Sequence, residues 1–188
     1  FKGSIFVVKY GGAFMDDPNP QVRASVAQDI SFLAAAGINV VVVHGGGKAI
    51  SRAMSSAGLQ PEFKNGMRIT DEKTVSIVED VLNNGVNAEI VEMLESQGCS
   101  ARGIRGNDVL RCEKLFSAGE NGEKIDIGYV GKISSVIAAP IEGAIAEGRT
   151  PVVSPIALGA DSHPYNTNAD VAASAVAAAL KARRLVFL

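Results

Sequence analysis

The chain has 188 residues with a net charge of −2; 47% of them are hydrophobic, 20% are charged and 5% are aromatic. This length suits one domain or one large lobe, and the absence of a basic cluster argues against a nucleic-acid partner. No apolar run is long enough to span a membrane, and Cys99 and Cys112 are too few and wrongly spaced for a disulfide framework or a zinc site. We therefore predict a cytoplasmic globular protein with no metal centre of its own.

Local signals in the first 43 residues predict two strands and a helix. A strand is predicted over residues 4–9, ending at Lys9, and a glycine turn, Gly11-Gly12, follows it. Asn19 is predicted to cap the next helix, with a proline at its first position. Residues 40–43 are all β-branched without polar alternation, which predicts a strand buried on both faces.

A second glycine turn, residues 45–47, follows this buried strand and leads into a helix predicted to end at Gly58. Such a turn exposes N–H groups at the positive end of the helix dipole, where phosphate or carboxylate binds. The Walker A loop does not fit, because Val42 and Ala49 stand at required positions, and Ile50 breaks the dinucleotide fingerprint.

The remaining elements complete an alternation of strands and helices. Residues 59–69 are predicted to be irregular, and Thr70 is predicted to cap a helix. The later predictions are helices at 70–83 and 86–97, hairpins within 99–134 with a loop tip at 119–122, a helix at 140–147, a strand at 151–156, a turn at 159–164, a helix capped by Asn168 and a last strand from Arg184. This order predicts an α/β fold, a three-layer αβα sandwich with a mainly parallel central sheet and side β-hairpins.

The two glycine turns predict the position of a site. In a parallel sheet, ligands bind beyond the carboxyl ends of the strands. Lys9 with Gly11-Gly12 and the turn at 45–47 both lie there, so we predict that they converge on a phosphoryl group.

Four motifs also resemble a known family, the amino acid kinases, and within them the acetylglutamate kinases. The motifs are residues 8–13 (VKYGGA), 42–47 (VVHGGG), 65–71 (NGMRITD) and 165–170 (YNTNAD). The resemblance covers nearly the whole chain. It implies transfer of the γ-phosphoryl group of ATP, which carries Mg²⁺, to the side-chain carboxylate of N-acetyl-L-glutamate in arginine biosynthesis.

The resemblance also implies roles for individual residues. Contact with the transferring phosphoryl group is expected from Lys9, Gly12 and Gly45, while Gly11 shapes the first turn. The acceptor is expected to meet Gly46, Arg68 and Asn166, and Asp170 is expected to orient the lysine. Without the resemblance, Arg68 reads as a surface loop residue and Asp170 as a favourable acid in a helix's first turn. His44 is expected to be structural.

The resemblance further implies that residues 1–188 are the N-terminal, acceptor-binding lobe, truncated before the ATP-binding lobe, inactive alone and homodimeric in its parent enzyme. Residue 88 and residues 105–109 depart from the family pattern. Alternatives are an aminoadipate-carrier or aspartate kinase and a non-catalytic amino-acid-binding module. Carbamate and uridylate kinases fit less well, since neither needs the Asn-Gly-x-Arg element.

Overall fold

The computed structural model of the chain describes residues 1–15, 17–119 and 121–188. Five parallel strands form the central sheet. In spatial order they are β11 (Arg184–Phe187), β1 (Ile5–Tyr10), β2 (Asn39–His44), β8 (Thr150–Val153) and β5 (Ala101–Ile104). The predicted parallel sheet is confirmed.

Helices cover both faces of this sheet. Helices α2 (Pro20–Ala35) and α5 (Asn87–Ser96) pack on one face, and α7 (Ala139–Ala146) and α8 (Ala169–Ala179) pack on the other. Alternate β2 valines divide between the faces, because successive side chains of a strand point in opposite directions. The three-layer prediction is therefore confirmed. None of the helices in the described residues is both long and apolar enough to cross a bilayer.

A four-stranded barrel stands beside the sheet, where the sequence indicated only hairpins. It is closed by β6 (Leu110–Ala118), β7 (Lys124–Val136), β9 (Ile156–Gly159) and β10 (Pro164–Thr167). The short helix α6 (Gly106–Val109) leads into it. The loop tip predicted at 119–122 includes residue 120, which lies outside the described residues.

Two of the predicted β segments were assigned wrongly. β5 belongs to the central sheet and not to the hairpins, because it pairs in parallel with β8 and buries Ala101 and Ile104. The strand predicted at 151–156 is two strands, since the chain leaves the sheet after β8 and enters the barrel at β9. Pro155 between them has no N–H to continue a ladder. The turn predicted at 159–164 connects β9 and β10, whose ends it overlaps by one residue each.

The segment at 59–69, predicted to be irregular, is so only in part. Strands β3 (Phe63–Lys64) and β4 (Met67–Arg68) form a hairpin. Asn65 and Gly66 at its tip have φ values of 49° and 77°, the left-handed pair that suits a tight hairpin turn. Asn-Gly is itself a hairpin signal, so this prediction missed information that the sequence held.

The two helices predicted at 70–83 and 86–97 are one continuous helical rod. Helix α4 (Glu72–Asp80) runs through a π-helical segment, Val81–Val86, into α5. Its cap is Asp71, whose carboxylate accepts from Thr74 N at 2.7 Å, and not Thr70. Thr70 instead joins β7, accepting a bond from the N–H of Tyr129.

Three further helix predictions are confirmed. Asn19 caps α2, and Asn168 caps α8 by accepting from two backbone N–H groups. Helix α3 (Gly47–Ser56) follows the second glycine turn, and Gly58 beyond its end has a φ of 73°. The first glycine turn leads into a four-residue helix, α1 (Gly12–Met15).

Candidate active site

The site lies where β1 and β2 end side by side. Tyr10 and His44 are register partners at the last position of the two strands. The two glycine turns therefore leave the sheet next to each other: a Cβ built on Gly45 would lie 3.8 Å from the Cα of Gly11. The predicted convergence of the turns is confirmed.

Lys9 projects across the first glycine turn. Its ammonium lies 3.0 Å from Oδ1 of Asp170, in the first turn of α8. A Cβ on Gly11 would collide with this ammonium group and lie 2.6 Å from the backbone carbonyl oxygen of Leu188, which cannot move aside as a side chain can, so the turn requires glycine there. From its sequence position alone, Asp170 could have been only a favourable acid in the first turn of a helix. The structure shows that it also forms an ion pair with Lys9.

The second glycine turn supplies the N-terminus of α3. The first N–H groups of a helix have no acceptor within it, so those of Gly47 and the residues after it are directed out of the helix end. The N–H of Gly45 is different, because it donates to the carbonyl of Tyr10 at 2.9 Å and so extends the sheet. The expectation that Gly45 donates to a phosphoryl group is at odds with this bond; Gly45 lines the site, but its N–H is engaged.

Gly46 is required by packing beneath the turn. A Cβ built on it would lie 2.5 Å from Cδ2 of Leu82 and 3.4 Å from Cγ2 of Val86. Both residues belong to the π-helical segment, and Leu82 is fully buried. The π-helical segment is thus the floor on which the second glycine turn rests.

Arg68 is a buried side chain of β4, with only 6% of its surface exposed. Its Nη2 donates to Gly47 O at 3.0 Å and to Ser51 Oγ at 2.9 Å, and its guanidinium lies 4.8 Å from the centroid of Phe63. Burial lowers the pKa of Arg68. Arginine nevertheless keeps its charge at neutral pH, because the guanidinium group is too basic to lose its proton in proteins. The reading of Arg68 as a surface loop residue is wrong.

Two adjoining cavities connect these groups. The first has a volume of about 200 Å³ and is lined by Asn166, Arg68 and the second glycine turn, among others. The second has a volume of about 490 Å³ and extends from that turn to Lys9 and Asp170. All predicted site residues except Gly11 line one or both cavities.

The second cavity is electropositive. Lys9, Lys48 and Arg68 line it, and Asp170 is the single acidic residue among its described lining residues. Three positive side chains, one negative side chain and a helix N-terminus favour a ligand with more than one negative charge. Lys48 was not identified from the sequence, although its place in the first turn of α3 is visible there.

His44 is fully buried beneath the second glycine turn, as expected of a structural residue. Burial lowers its pKa from the ordinary 6.5 to about 4, so the ring is neutral. Its Nδ1 is 2.7 Å from the carbonyl oxygen of Gly45, and its Nε2 is 3.2 Å from Nδ2 of Asn87. No local pattern indicated the contact with Asn87, because the two residues are 43 positions apart.

Sequence comparison identifies the relatives of this chain. Residues 4–188 match the model of the Amino acid kinase family. The chain is 45% identical over 190 aligned residues to acetylglutamate kinase of Caldanaerobacter subterraneus subsp. tengcongensis and 44% identical to that of Kosmotoga olearia. All of the chain is covered, but it spans only 61% and 64% of the length of these two relatives.

A solved structure has the same fold. The crystal structure of smu.665 from Streptococcus mutans UA159 superposes with a TM-score of 0.84 at 26% sequence identity. The superposition covers 98% of this chain and 71% of that one.

Proposed function

The chain belongs to the amino acid kinase family, and we propose that the protein carrying it transfers the γ-phosphoryl group of ATP to the side-chain carboxylate of N-acetyl-L-glutamate. The product is N-acetylglutamyl 5-phosphate, an acyl phosphate. The names of the relatives, acetylglutamate kinase, support this choice of acceptor. In this proposal the reaction takes place in the cytoplasm and belongs to arginine biosynthesis.

The observation that carries the proposal is the placement of two cations, Lys9 and Arg68, around one glycine turn. Arg68 and residues 45–47 line both cavities, whereas Lys9 lines the larger one. A substrate carboxylate at Arg68 and a phosphoryl group at Lys9 would then meet over the turn. Transfer between two anions requires this kind of arrangement, because their mutual repulsion must be balanced.

The chemistry needs no general base. A carboxylate acceptor is already ionised at neutral pH, so positioning and charge stabilisation supply most of the catalysis. We assign charge stabilisation on the phosphoryl oxygens to Lys9 and the N–H groups of Gly12, Gly46 and the α3 N-terminus. Gly46, for which the resemblance implied an acceptor contact, lines both cavities. Asp170 keeps the lysine over the turn. ATP brings its Mg²⁺ as part of the substrate, and no protein ligand for the metal is assigned here.

We assign the substrate's α-carboxylate to Arg68 and a further hydrogen bond to Asn166. Nη2 of Arg68 donates to Gly47 O and Ser51 Oγ, and Nη1 donates to Met54 Sδ at 3.3 Å. We assign the remaining N–H groups of the guanidinium to the substrate carboxylate. Asn166 lies on the barrel side of the same cavity, with Nδ2 3.4 Å from Oγ1 of Thr70. In this proposal the acceptor binds between the β3–β4 hairpin and the barrel.

We also propose which part of the protein binds each substrate. Residues 1–188 are taken as the acceptor-binding lobe, and the adenine-binding residues are taken to lie in a part of the protein that this chain does not include. A homodimer is proposed as the state of the complete protein.

A trapping assay tests the proposed reaction. The complete protein is incubated with MgATP, hydroxylamine and one candidate acceptor, and an acyl phosphate is detected as the hydroxamate. We expect hydroxamate with N-acetyl-L-glutamate and none with aspartate, aminoadipate or carbamate. Preference for aspartate or a carrier-bound aminoadipate would establish a sibling carboxylate kinase. Calorimetric binding of N-acetyl-L-glutamate without any turnover would establish the binding-module alternative.

A further inference from the structure

His44, Asn87 and Val152 form a buried hydrogen-bonded chain under the second glycine turn. The side-chain nitrogen of Asn87 donates to Val152 O at 2.9 Å and lies 3.2 Å from Nε2 of His44. On its other side, the His44 ring meets the carbonyl oxygen of Gly45 at 2.7 Å. Asn87 and His44 are both buried, so water does not compete for these bonds.

The chain of bonds fixes one tautomer of His44. The carbonyl of Val152 can only accept, so the amide of Asn87 must turn its NH₂ group toward Val152 and His44. Nε2 of His44 therefore accepts and carries no proton. The carbonyl of Gly45 can also only accept, so Nδ1 carries the proton. Both ends of the ring require the same neutral tautomer.

This bond orients the peptide between Gly45 and Gly46. In a trans peptide the carbonyl and the following N–H point in opposite directions. With the Gly45 carbonyl held against His44 inside the protein, the N–H of Gly46 is directed away from the ring. Gly46 lines both cavities, so an N–H directed away from the buried ring can reach a ligand there.

The π-helical segment brings Asn87 to this place. Asn87 is the first residue of α5, directly after Val81–Val86, and Leu82 and Val86 pack under Gly46. A π-helical segment inserts one extra residue per turn into a helix and is frequent at functional sites. Here Leu82 and Val86 lie under Gly46, and Asn87 contacts His44, the residue before the turn.

We propose that Asn87 is a positioning residue that acts through His44 to hold the Gly46 N–H toward the transferring phosphoryl group. The role of that N–H in catalysis rests on the proposed kinase function; the geometry that Asn87 imposes does not.

Nitrogen NMR of the histidine rings tests the geometry without any substrate. The chain contains two histidines, and His163 is half exposed, so it serves as an internal reference. In the unaltered protein we expect His44 to hold its proton on Nδ1 at all pH values from about 5 to 8, where an exposed histidine titrates. In Asn87→Leu, which has a similar shape but cannot donate, we expect Nδ1 to keep its proton, because Gly45 O still accepts it, and the Nε2 resonance to move to the position of a ring nitrogen without a hydrogen bond. An Nε2-protonated His44 in the unaltered protein, or an unchanged Nε2 resonance in Asn87→Leu, would overturn the proposal.

Kinetics then test the consequence for catalysis. We expect Asn87→Leu to lower kcat by about 10- to 100-fold with KM for both substrates within about twofold, as for a small misplacement of a catalytic group. Asn84→Leu is the matched control, since Asn84 is an exposed residue of the adjoining π-helical segment whose side chain donates to Asp80 at 2.8 Å. We expect its kcat to be unchanged. Equal losses in both variants would overturn the positioning role.

A second pair of variants covers the case in which Asn87→Leu does not fold. His44→Asn places an amide where Nδ1 stood and can still donate to Gly45 O, whereas His44→Leu cannot. We expect His44→Asn to retain at least about tenfold more kcat than His44→Leu at similar stability. Equal kcat in the two would overturn the proposal. If the unaltered protein forms no hydroxamate, the kinase function fails, while the tautomer experiment still decides the geometry.

Discussion

The ammonium of Lys9 and the carboxylate of Asp170 meet at 3.0 Å, joining the end of β1 to the first turn of α8. The side chain of Lys9 is 18% exposed and that of Asp170 is 55% exposed. An ion pair so open to water adds little to stability. Its consequence is positional, because it holds a cation over the first glycine turn.

Lys9→Ala should therefore affect turnover far more than folding. We expect kcat to fall by about 10²- to 10³-fold, the loss typical of one transition-state donor. The Kd for N-acetyl-L-glutamate should stay nearly the same, because Lys9 lines only the larger cavity. Calorimetry and steady-state kinetics measure the two quantities, with Lys73→Ala as an exposed control on α4. A parallel loss of acetylglutamate binding would place Lys9 at the acceptor.

Asp170→Asn should show whether the ion pair orients Lys9. The amide keeps the shape but removes the charge, so we expect a smaller loss of kcat than in Lys9→Ala. The double variant should be no slower than Lys9→Ala alone, because residues that act as a unit are not additive. Fully additive losses would show that Asp170 acts independently of the lysine.

Arg68→Lys should separate substrate binding from folding. Lysine keeps a charge but cannot bond Ser51, Gly47 and a carboxylate with one planar fork. We expect KM for N-acetyl-L-glutamate to rise by a factor corresponding to about 2 kcal/mol, with KM for ATP nearly constant. Ser51→Ala, which removes one anchor of the fork, should raise the same KM by less. Equal changes for both substrates would mean that Arg68 serves the fold.

Gly46→Ala should destabilise the protein through packing. The φ of Gly46 is 162°, which is extended backbone that any residue adopts, so strain is not the cause. The added Cβ would lie 2.5 Å from buried Leu82, and overpacking of this kind costs about 1–3 kcal/mol. A Cβ on Gly47 meets no atom within 4 Å, which makes Gly47→Ala the matched control. Urea unfolding should show a loss for the first variant only; equal stability of both would contradict the packing account.

Stability should fall at mildly acidic pH because of His44. Its pKa is lowered by burial from 6.5 to about 4, so the unfolded chain binds a proton in this window and the folded chain does not. The free energy of unfolding should therefore decrease as pH falls from about 6.5 to about 4, by up to about 1.4 kcal/mol per pH unit. Urea unfolding at several pH values measures this slope. His44→Asn should flatten it, and an unchanged slope in that variant would assign the effect to other groups.

Local patterns in the sequence determined the main strands and helices of this protein. The β-branched run of β2, the Asn caps of α2 and α8, and the strand-ending Lys9 with its glycine turn are each set by neighbours a few residues away. These patterns predicted the parallel sheet and the edge at which the cavities lie. They act locally, so they are visible in a single sequence.

Contacts between distant segments decided the rest. Whether Ala101–Ile104 joins the sheet depends on β8, nearly fifty residues later, and the burial of Arg68 depends on α3. The bond from Asn87 to His44 spans 43 residues, and it forms because a π-helical segment shifts the register of the helix. No periodicity specifies such a shift, since the side chains that it satisfies belong to other elements. The sequence alone therefore located the two glycine turns, and only the tertiary structure showed what holds the second one in place.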